Sequence, residues 1–346
     1  MLAPFTTLKV GGKARFFVSA ETEKQVLEAI AFAEEYELKV FILGGGSNVL
    51  IADKGFDGLV LQINLKGIET LAGKDGTIYI TAQAGEDWDE FVRFCVSTDL
   101  QGIECLSGIP GFVGGTPVQN VGAYGQEVSE TITTVRVFDR KTREILELTN
   151  ADCGFEYRKS IFNTKDKDRF IVLAVMYALK TNGQPKIVYK DLQDFFNGRT
   201  PTLRETREAV CRIRAEKAML VRQGGADSNS VGSFFKNPVV SGKDFEKIVE
   251  IAKKIGIENV PCYQVNEKDV KIPAAWLIEK SGFQKGYTKG CAGLSSRHTL
   301  ALTNRGNATA AEILELKEEI QVKVKNIFNI ELAVEPVIIG FDDQNT

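Results

Sequence analysis

Leu43-Gly44-Gly45-Gly46-Ser47-Asn48 follows the short apolar run 40–43, and the reading of this stretch decides the fold. A strand running straight into three glycines makes a turn whose backbone N–H groups reach an anion with no Cβ in the way. The spacing is neither G-x-G-x-x-G opening a helix nor G-x-x-x-x-G-K-[ST], which excludes the doubly wound dinucleotide fingerprint and the P-loop. Alone, the stretch reads better as a plain tight turn. A second loop, Ser107-Gly108-Ile109-Pro110-Gly111-Phe112-Val113-Gly114-Gly115, and the segment Asn120-Val121-Gly122-Ala123-Tyr124-Gly125 repeat its texture. Two nearly uncharged glycine loops in one domain suit a pyrophosphate gripped by backbone donors rather than by Lys or Arg. A large bound dinucleotide is the expectation.

Outward from these loops, the first third alternates strand and helix. Thr22-x-x-Gln25 is a capping box, and Val26, Leu27, Ile30 and Ala33 recur at helical spacing. Strands are expected near 59–63 and 77–84, and Trp88, Phe91, Val92 and Cys95 mark a helix face. Residues 135–179 are strand-rich. The texture changes near Thr202-x-x-Glu205, which starts a helix carrying Ala209, Val210 and Ile213. A polar bridge at 222–230 leads to Gly232-Ser233-Phe234-Phe235-Lys236-Asn237-Pro238. Phe245, Ile248, Val249, Ala252 and Ile255 form another helical face, Thr309-x-x-Glu312 opens a last helix through 328, and a strand over 331–340 carries Glu335. A domain boundary is placed near 205.

Lys and Arg number 43 against 46 Asp and Glu, for a net charge of −3 over 346 residues, which argues against a nucleic-acid partner. With 43% hydrophobic and 26% charged residues the chain can build ordinary cores, and no uncharged run is apolar enough to cross a bilayer. The six cysteines lie far apart without a C-x-x-C pair, and with one histidine there is no zinc-site spacing. Reduced thiols in a soluble cytoplasmic protein are expected.

A hydrolytic triad would have to use His298, the only histidine, which lacks any nucleophile-elbow pattern. The reactivity is therefore borrowed from a cofactor. Ser233 is a poor acid near neutral pH and protonates only something as basic as a carbanion or enolate, such as hydride addition to an activated double bond creates. The competing reading, that Ser233 and Asn237 simply hold a turn, stays open. Phe155-Glu156-Tyr157-Arg158-Lys159-Ser160-Ile161-Phe162 places a guanidinium inside a strand-like aromatic segment, suited to a bidentate carboxylate clamp. Lys217, beyond Arg214 on a helix, offers a second cation or else an ordinary solvated face. Glu335, between Val334 and Pro336, reads as a buried functional carboxylate with a perturbed pKa.

LGGGSN, GIPGFVGG followed by PVQNVGAYG, YRKSIF, GSFFKNP and the terminal glutamate, taken in this order, resemble the UDP-N-acetylenolpyruvoylglucosamine reductase family over almost the whole chain. The resemblance implies an α+β protein with an FAD-binding domain of the vanillyl-alcohol-oxidase (PCMH) type. That domain would span 1–205 as two α/β lobes dividing near 65, with the final strand, 334–346, returning to it. A C-terminal α+β substrate-binding domain would span 206–333. Gly44, Gly45, Gly46, Ser47, Asn48, Gly108, Ile109, Pro110, Gly111, Gly114 and Gly115 would hold FAD, with Asn120 and Gly122 nearby. NADPH would reduce the flavin and leave. UDP-N-acetylenolpyruvoylglucosamine would then receive hydride at C3 and a proton from Ser233 at C2, giving UDP-N-acetylmuramate for peptidoglycan. Arg158 would clamp the substrate carboxylate and Glu335 would be a second acid or polarising group. Tyr189 matches the substrate-closing tyrosine loop of one subtype, and Lys217 and Asn237 match further substrate contacts. A monomer is expected, with no nucleic-acid or membrane partner. Two departures stand out: Gly115-Thr116 replaces Ala-Ala or Ala-Ser, and Val337 replaces a basic residue. From the residues alone, another FAD oxidase acting on an alcohol or hydroxy acid, and a non-enzymatic nucleotide-sugar binder, remain alternatives.

Overall fold

The computed structural model describes residues 1–220 and 227–341, so residues 222–226 of the expected bridge and 342–346 of the expected last strand lie outside the described residues. The chain divides into two compact units.

One unit comprises Ala14–Gly46 and Asp57–Glu216. It begins with a three-stranded sheet in which Phe56–Ile63 lies between Ala14–Ala20 and Val40–Leu43, the last pairing in parallel as Val40↔Leu59 to Leu43↔Gln62. Helix α1, Glu23–Glu35, starts at the expected Thr22–Gln25 capping box and buries Val26, Ala29, Ile30 and Ala33. A second, antiparallel sheet follows, ordered Glu144–Thr149, Ile132–Asp139, Phe170–Thr181, Thr77–Gln83 and Ile68–Ala72, with Leu100–Gln101 pairing off the long Phe170–Thr181 strand. Helix α2, Trp88–Ser97, is capped by Asp87 and buries Trp88, Phe91, Val92 and Cys95. Trp88 and Phe91 pack on Tyr177 with ring centroids 5.9 and 5.2 Å away. Helices α3, Lys190–Phe196, and α4, Leu203–Glu216, close a satellite core of Leu192, Phe196, Ala209, Val210 and Ile213 around Cys105 and Tyr124.

The other unit comprises Met1–Lys13, Ser47–Phe56 and Lys217–Thr346. Two small antiparallel sheets, one of Val239–Ser241, Asp269–Lys271 and Tyr263–Gln264 and one of Thr288–Lys289, Ala292–Leu294 and Leu302–Asn304, accompany α5, Gly242–Lys254, α6, Ala274–Lys280, and α7, Ala310–Phe328. The Thr309–Glu312 capping box opens α7 as expected, and α7 buries Ile313, Leu314, Leu316, Ile320, Val324 and Phe328. The N-terminal stretch is bound into this unit through backbone and caps. Val337–Ile339 pairs in parallel with Val49–Ile51, and the Asp53 carboxylate accepts from Ala310 N at 2.8 Å and Ala311 N at 3.0 Å.

The compact units divide the chain elsewhere than at residue 205. Helix α4 stays with the sheet-rich unit through Glu216, and residues 47–56 join the C-terminal unit because their hydrogen bonds run to the last strand and to α7. The terminal strand is also shorter than the expected 331–340: only Val337–Ile339 is strand, and Glu335 precedes it.

Candidate active site

The strand Val40–Leu43 delivers the first glycine loop, and Gly46 takes the left-handed φ of +65° that glycine adopts without strain. Gly45 meets the second loop. A Cβ built on it would stand 2.7 Å from Gly111 Cα and 2.9 Å from Gly111 C. Side chains are absent here because two backbones touch. In the second loop the amides of Gly114 and Gly115 are consumed by Ala84 O and Phe112 O, at 2.8 and 3.0 Å. Those of Gly45, Gly46, Ile109 and Gly111 donate to no group among the described residues. Backbone donors so clustered are what a phosphate needs. These unspent donors suit the diphosphate of a dinucleotide, and glycine at position 45 is what lets the two loops that carry them touch.

Gly108 is engaged differently. Its N–H donates to Asp89 Oδ1 at 2.6 Å, and its carbonyl accepts from Arg214 Nε at 3.1 Å. Asp89 is in turn paired with Arg207, Nη1 to Oδ1 at 2.6 Å and Nη2 to Oδ2 at 3.0 Å. Arg214 is buried, and that desolvation lowers its pKa. Sequence reading missed all three residues. Arg207 and Arg214, seven apart on α4, look like any charged helix face, and nothing local marks Asp89 as their partner.

Of the two departures in sequence, Gly115 has no atom within 4 Å of an added Cβ. Thr116 is buried, and its hydroxyl lies 2.8 Å from Tyr177 OH and donates to Val113 O at 2.8 Å. Val337 is 40% exposed on the terminal strand.

Arg158 is not in a strand, as expected, but in a tight turn between the bridged residues Glu156 and Lys159, with φ +56°. A two-residue turn exposes no strand face, so the guanidinium is oriented by other means. It donates to Asn120 O at 3.3 Å and Gly122 O at 2.5 Å and stacks over the Tyr157 ring at 5.1 Å. Asn120, buried at φ +45°, binds Glu127 Oε2 and Glu156 O through Nδ2 and accepts from Ser129 N. A Cβ on Gly122 would stand 2.8 Å from Glu127 Cγ and 3.1 Å from Arg158 Nη1. The structure thus brings Asn120, Gly122 and Arg158 together. Tyr189 precedes α3 and meets Tyr124 edge to face at 5.4 Å. Burial pushes the Tyr124 phenol up to about 12, so it stays protonated.

In the C-terminal unit, the backbone segments that carry Ser233 and Glu335 are paired. Phe235 bridges Val334, Glu335 N donates to Phe234 O at 2.9 Å and Lys236 N to Ala333 O at 2.8 Å. The buried Phe234 and Phe235 anchor this pairing. Ser233, next to it, is half-buried, and its hydroxyl has no hydrogen-bond partner among the described residues. Glu335 is half-buried, not fully enclosed as expected, because it sits in the irregular step between the bridge and the terminal strand. Asn48 Nδ2 donates to Glu335 O at 3.3 Å, and Ser47 lies beside it, half-buried. Asn237 Oδ1 accepts from Ala274 N at 2.9 Å, so its carbonyl end caps α6. Lys217 lies in the turn just past α4 rather than on it, and Pro110 is half-buried within its loop. His298 Nδ1 accepts from Leu300 N, a local turn contact.

Two sheets with a shared core, leading into a pair of touching glycine loops that lack the doubly wound fingerprint, define an FAD-binding α+β protein of the vanillyl-alcohol-oxidase type. The sequence agrees: residues 14–149 match the FAD binding domain family, and residues 224–339 match the family described as UDP-N-acetylenolpyruvoylglucosamine reductase, C-terminal domain. UDP-N-acetylenolpyruvoylglucosamine reductase of Thermobifida fusca is 41% identical, covering 98% of this chain and 96% of the relative. That of Neisseria meningitidis serogroup B is 39% identical, covering 97% and 95%. The crystal structure of the reductase from Thermus caldophilus superposes with a TM-score of 0.67 at 24% identity, covering 98% of this chain and 97% of that one, which supports the fold. The chain belongs to the UDP-N-acetylenolpyruvoylglucosamine reductase family, and it is a flavin-dependent oxidoreductase.

Proposed function

We propose that this chain reduces the enolpyruvyl group of UDP-N-acetylenolpyruvoylglucosamine to UDP-N-acetylmuramate in peptidoglycan synthesis, with NADPH as the reductant, as a cytoplasmic monomer. FAD, when bound, supplies the hydride chemistry. The touching loops around Gly45 and Gly111 hold its diphosphate with backbone N–H groups, Gly44, Ile109, Pro110 and Gly114 shape their flanks, and Ser47 and Asn48 are further FAD-binding residues.

The observation that carries the reading is the Ser233 hydroxyl, half-buried and without a partner among the described residues, on a loop fixed by two buried phenylalanines. A hydroxyl whose hydrogen is not committed to a protein acceptor can deliver it to substrate C2 as negative charge develops there. Glu335 stands on the adjoining rung to polarise that position. Arg158, with its plane set by the Asn120 and Gly122 carbonyls, receives the substrate carboxylate. Tyr189, Lys217 and the Asn237 Nδ2 end bind the rest of the nucleotide sugar.

Anaerobic stopped flow tests the assignment. NADPH bleaches the bound flavin, and subsequent enolpyruvyl-UDP-N-acetylglucosamine restores the yellow colour. A reduced flavin that this substrate leaves bleached refutes the proposal.

A further inference from the structure

We propose that Asp89 and Arg207 form a positioning pair that holds the second glycine loop in its cofactor-binding shape and thereby sets the affinity for FAD. The inference rests on reading that loop as part of the diphosphate cradle. Residues 107–116 contain four glycines and no charged side chain, so the Gly108 end, ahead of Pro110 and the short helical turn Val113–Gly115, has little stiffness and no charge of its own to order it. Its shape is imposed from behind. Gly108, at φ +71°, has its N–H taken by a carboxylate from α2 and its carbonyl by a guanidinium from α4.

Asp89 Oδ1 accepts from Gly108 N and from Arg207 Nη1 at the same 2.6 Å, while Oδ2 accepts from Nη2 at 3.0 Å. The two-point fork fixes the carboxylate plane, and with it the direction in which Gly108 is pulled. Capping does not account for Asp89, since Asp87 already receives Glu90 N at 2.9 Å. Both side chains are largely withdrawn from water, at 9% and 14% exposure for Asp89 and Arg207, so removing Arg207 takes away the fork that fixes the carboxylate and lets it turn. Arg207 offsets the charge of the carboxylate behind the loop, and Arg214 adds a buried cation on the Gly108 carbonyl. Loop ordering settled before the cofactor arrives does not have to be met on binding.

The test is FAD titration of the deflavinated full chain, followed by quenching of flavin fluorescence, with the apoprotein's thermal midpoint measured alongside. Arg207→Leu is expected to weaken FAD binding at least about tenfold. Asp89→Asn, which keeps shape and an acceptor for Gly108 but loses the charged fork, is expected to fall between Arg207→Leu and wild type. The exchanged pair, Asp89→Arg with Arg207→Asp, is the deciding variant. It can rebuild an ion pair and the thermal midpoint, yet an arginine cannot accept the Gly108 N–H, so FAD binding stays weak. Unchanged affinity in Arg207→Leu and Asp89→Asn, or recovery of affinity in the exchanged pair, overturns the proposal. Gly45→Ala separates it from the reading beneath it: if that variant loses FAD while the pair variants do not, the cradle stands and only the positioning role falls.

Discussion

Alanine at position 45 tests the cradle most directly. Its Cβ would lie 2.7 Å from Gly111 Cα, 2.9 Å from Gly111 C and 3.1 Å from Phe112 Cδ1. Carbon atoms rest in contact at about 3.5–4.0 Å, so the loops must part by roughly 0.8 Å or more. The second loop is not free to yield, for Gly111 O accepts from Trp88 N at 3.0 Å and Gly108 is held at both of its polar groups. Inserting a carbon into so tight an approach costs about 1–3 kcal/mol, shared between apoprotein stability and cofactor affinity. Borne entirely by binding, that is roughly a 5- to 150-fold weaker Kd for FAD. Gly115→Ala is the internal control. It meets no protein atom within 4 Å and its backbone is not left-handed, so it is expected to stabilise the apoprotein by about 0.4–1 kcal/mol. Thermal midpoint and flavin-fluorescence titration, read together, capture both shares of the cost. If Gly45→Ala matches Gly115→Ala in both readouts, the backbone contact does not shape the cofactor site.

Three further outcomes are expected. Ser233→Ala should leave flavin reduction by NADPH nearly intact in stopped flow while slowing reoxidation by substrate at least about 10²-fold; equal loss in both half-reactions would point to a cofactor or folding defect. Arg158→Lys should cut steady-state turnover sharply, because an ammonium cannot span the Asn120 and Gly122 carbonyls and still offer a planar two-point face; wild-type kcat/KM would remove Arg158 from the mechanism. Glu205, which accepts from Thr202 N at 2.8 Å and pairs with Arg199, has its pKa lowered to about 2 by those contacts. A depressed carboxylate stabilises the fold above its unfolded value of about 4.3, and the gain disappears as pH falls through the folded value. The difference in thermal midpoint between wild type and Glu205→Gln should therefore be full at pH 6 and vanish near pH 2, and a difference independent of pH would disprove the cap's role.

Caps and amphipathic faces were legible because each is settled within one turn of chain. Thr22, Thr202 and Thr309 read as helix starts, and all three side chains accept the N–H they were expected to accept. Arg158 and Glu335 were misplaced for the opposite reason. An aromatic or apolar run looks like a strand, but whether it becomes one depends on what pairs with it. The Glu156–Lys159 bridge closes a turn on the first, and the Phe235–Val334 bridge holds the second outside the terminal strand. Asn237 was left between a turn role and substrate contact, and its carbonyl end serves the start of α6.

Residue order along the chain was enough to point to a bound dinucleotide, since two glycine loops mark where a backbone must come close to something, and the resemblance carried by the ordered motifs implied FAD. It could not establish what that something is inside the protein. The approach of Gly45 to Gly111, and the grip of Asp89, Arg207 and Arg214 on Gly108 across separations of up to 118 residues, arise only when packed helices and sheets bring distant segments together. Local preference acts over a few bonds, whereas the geometry of a binding loop is set by whichever far parts of the chain the core forces against it.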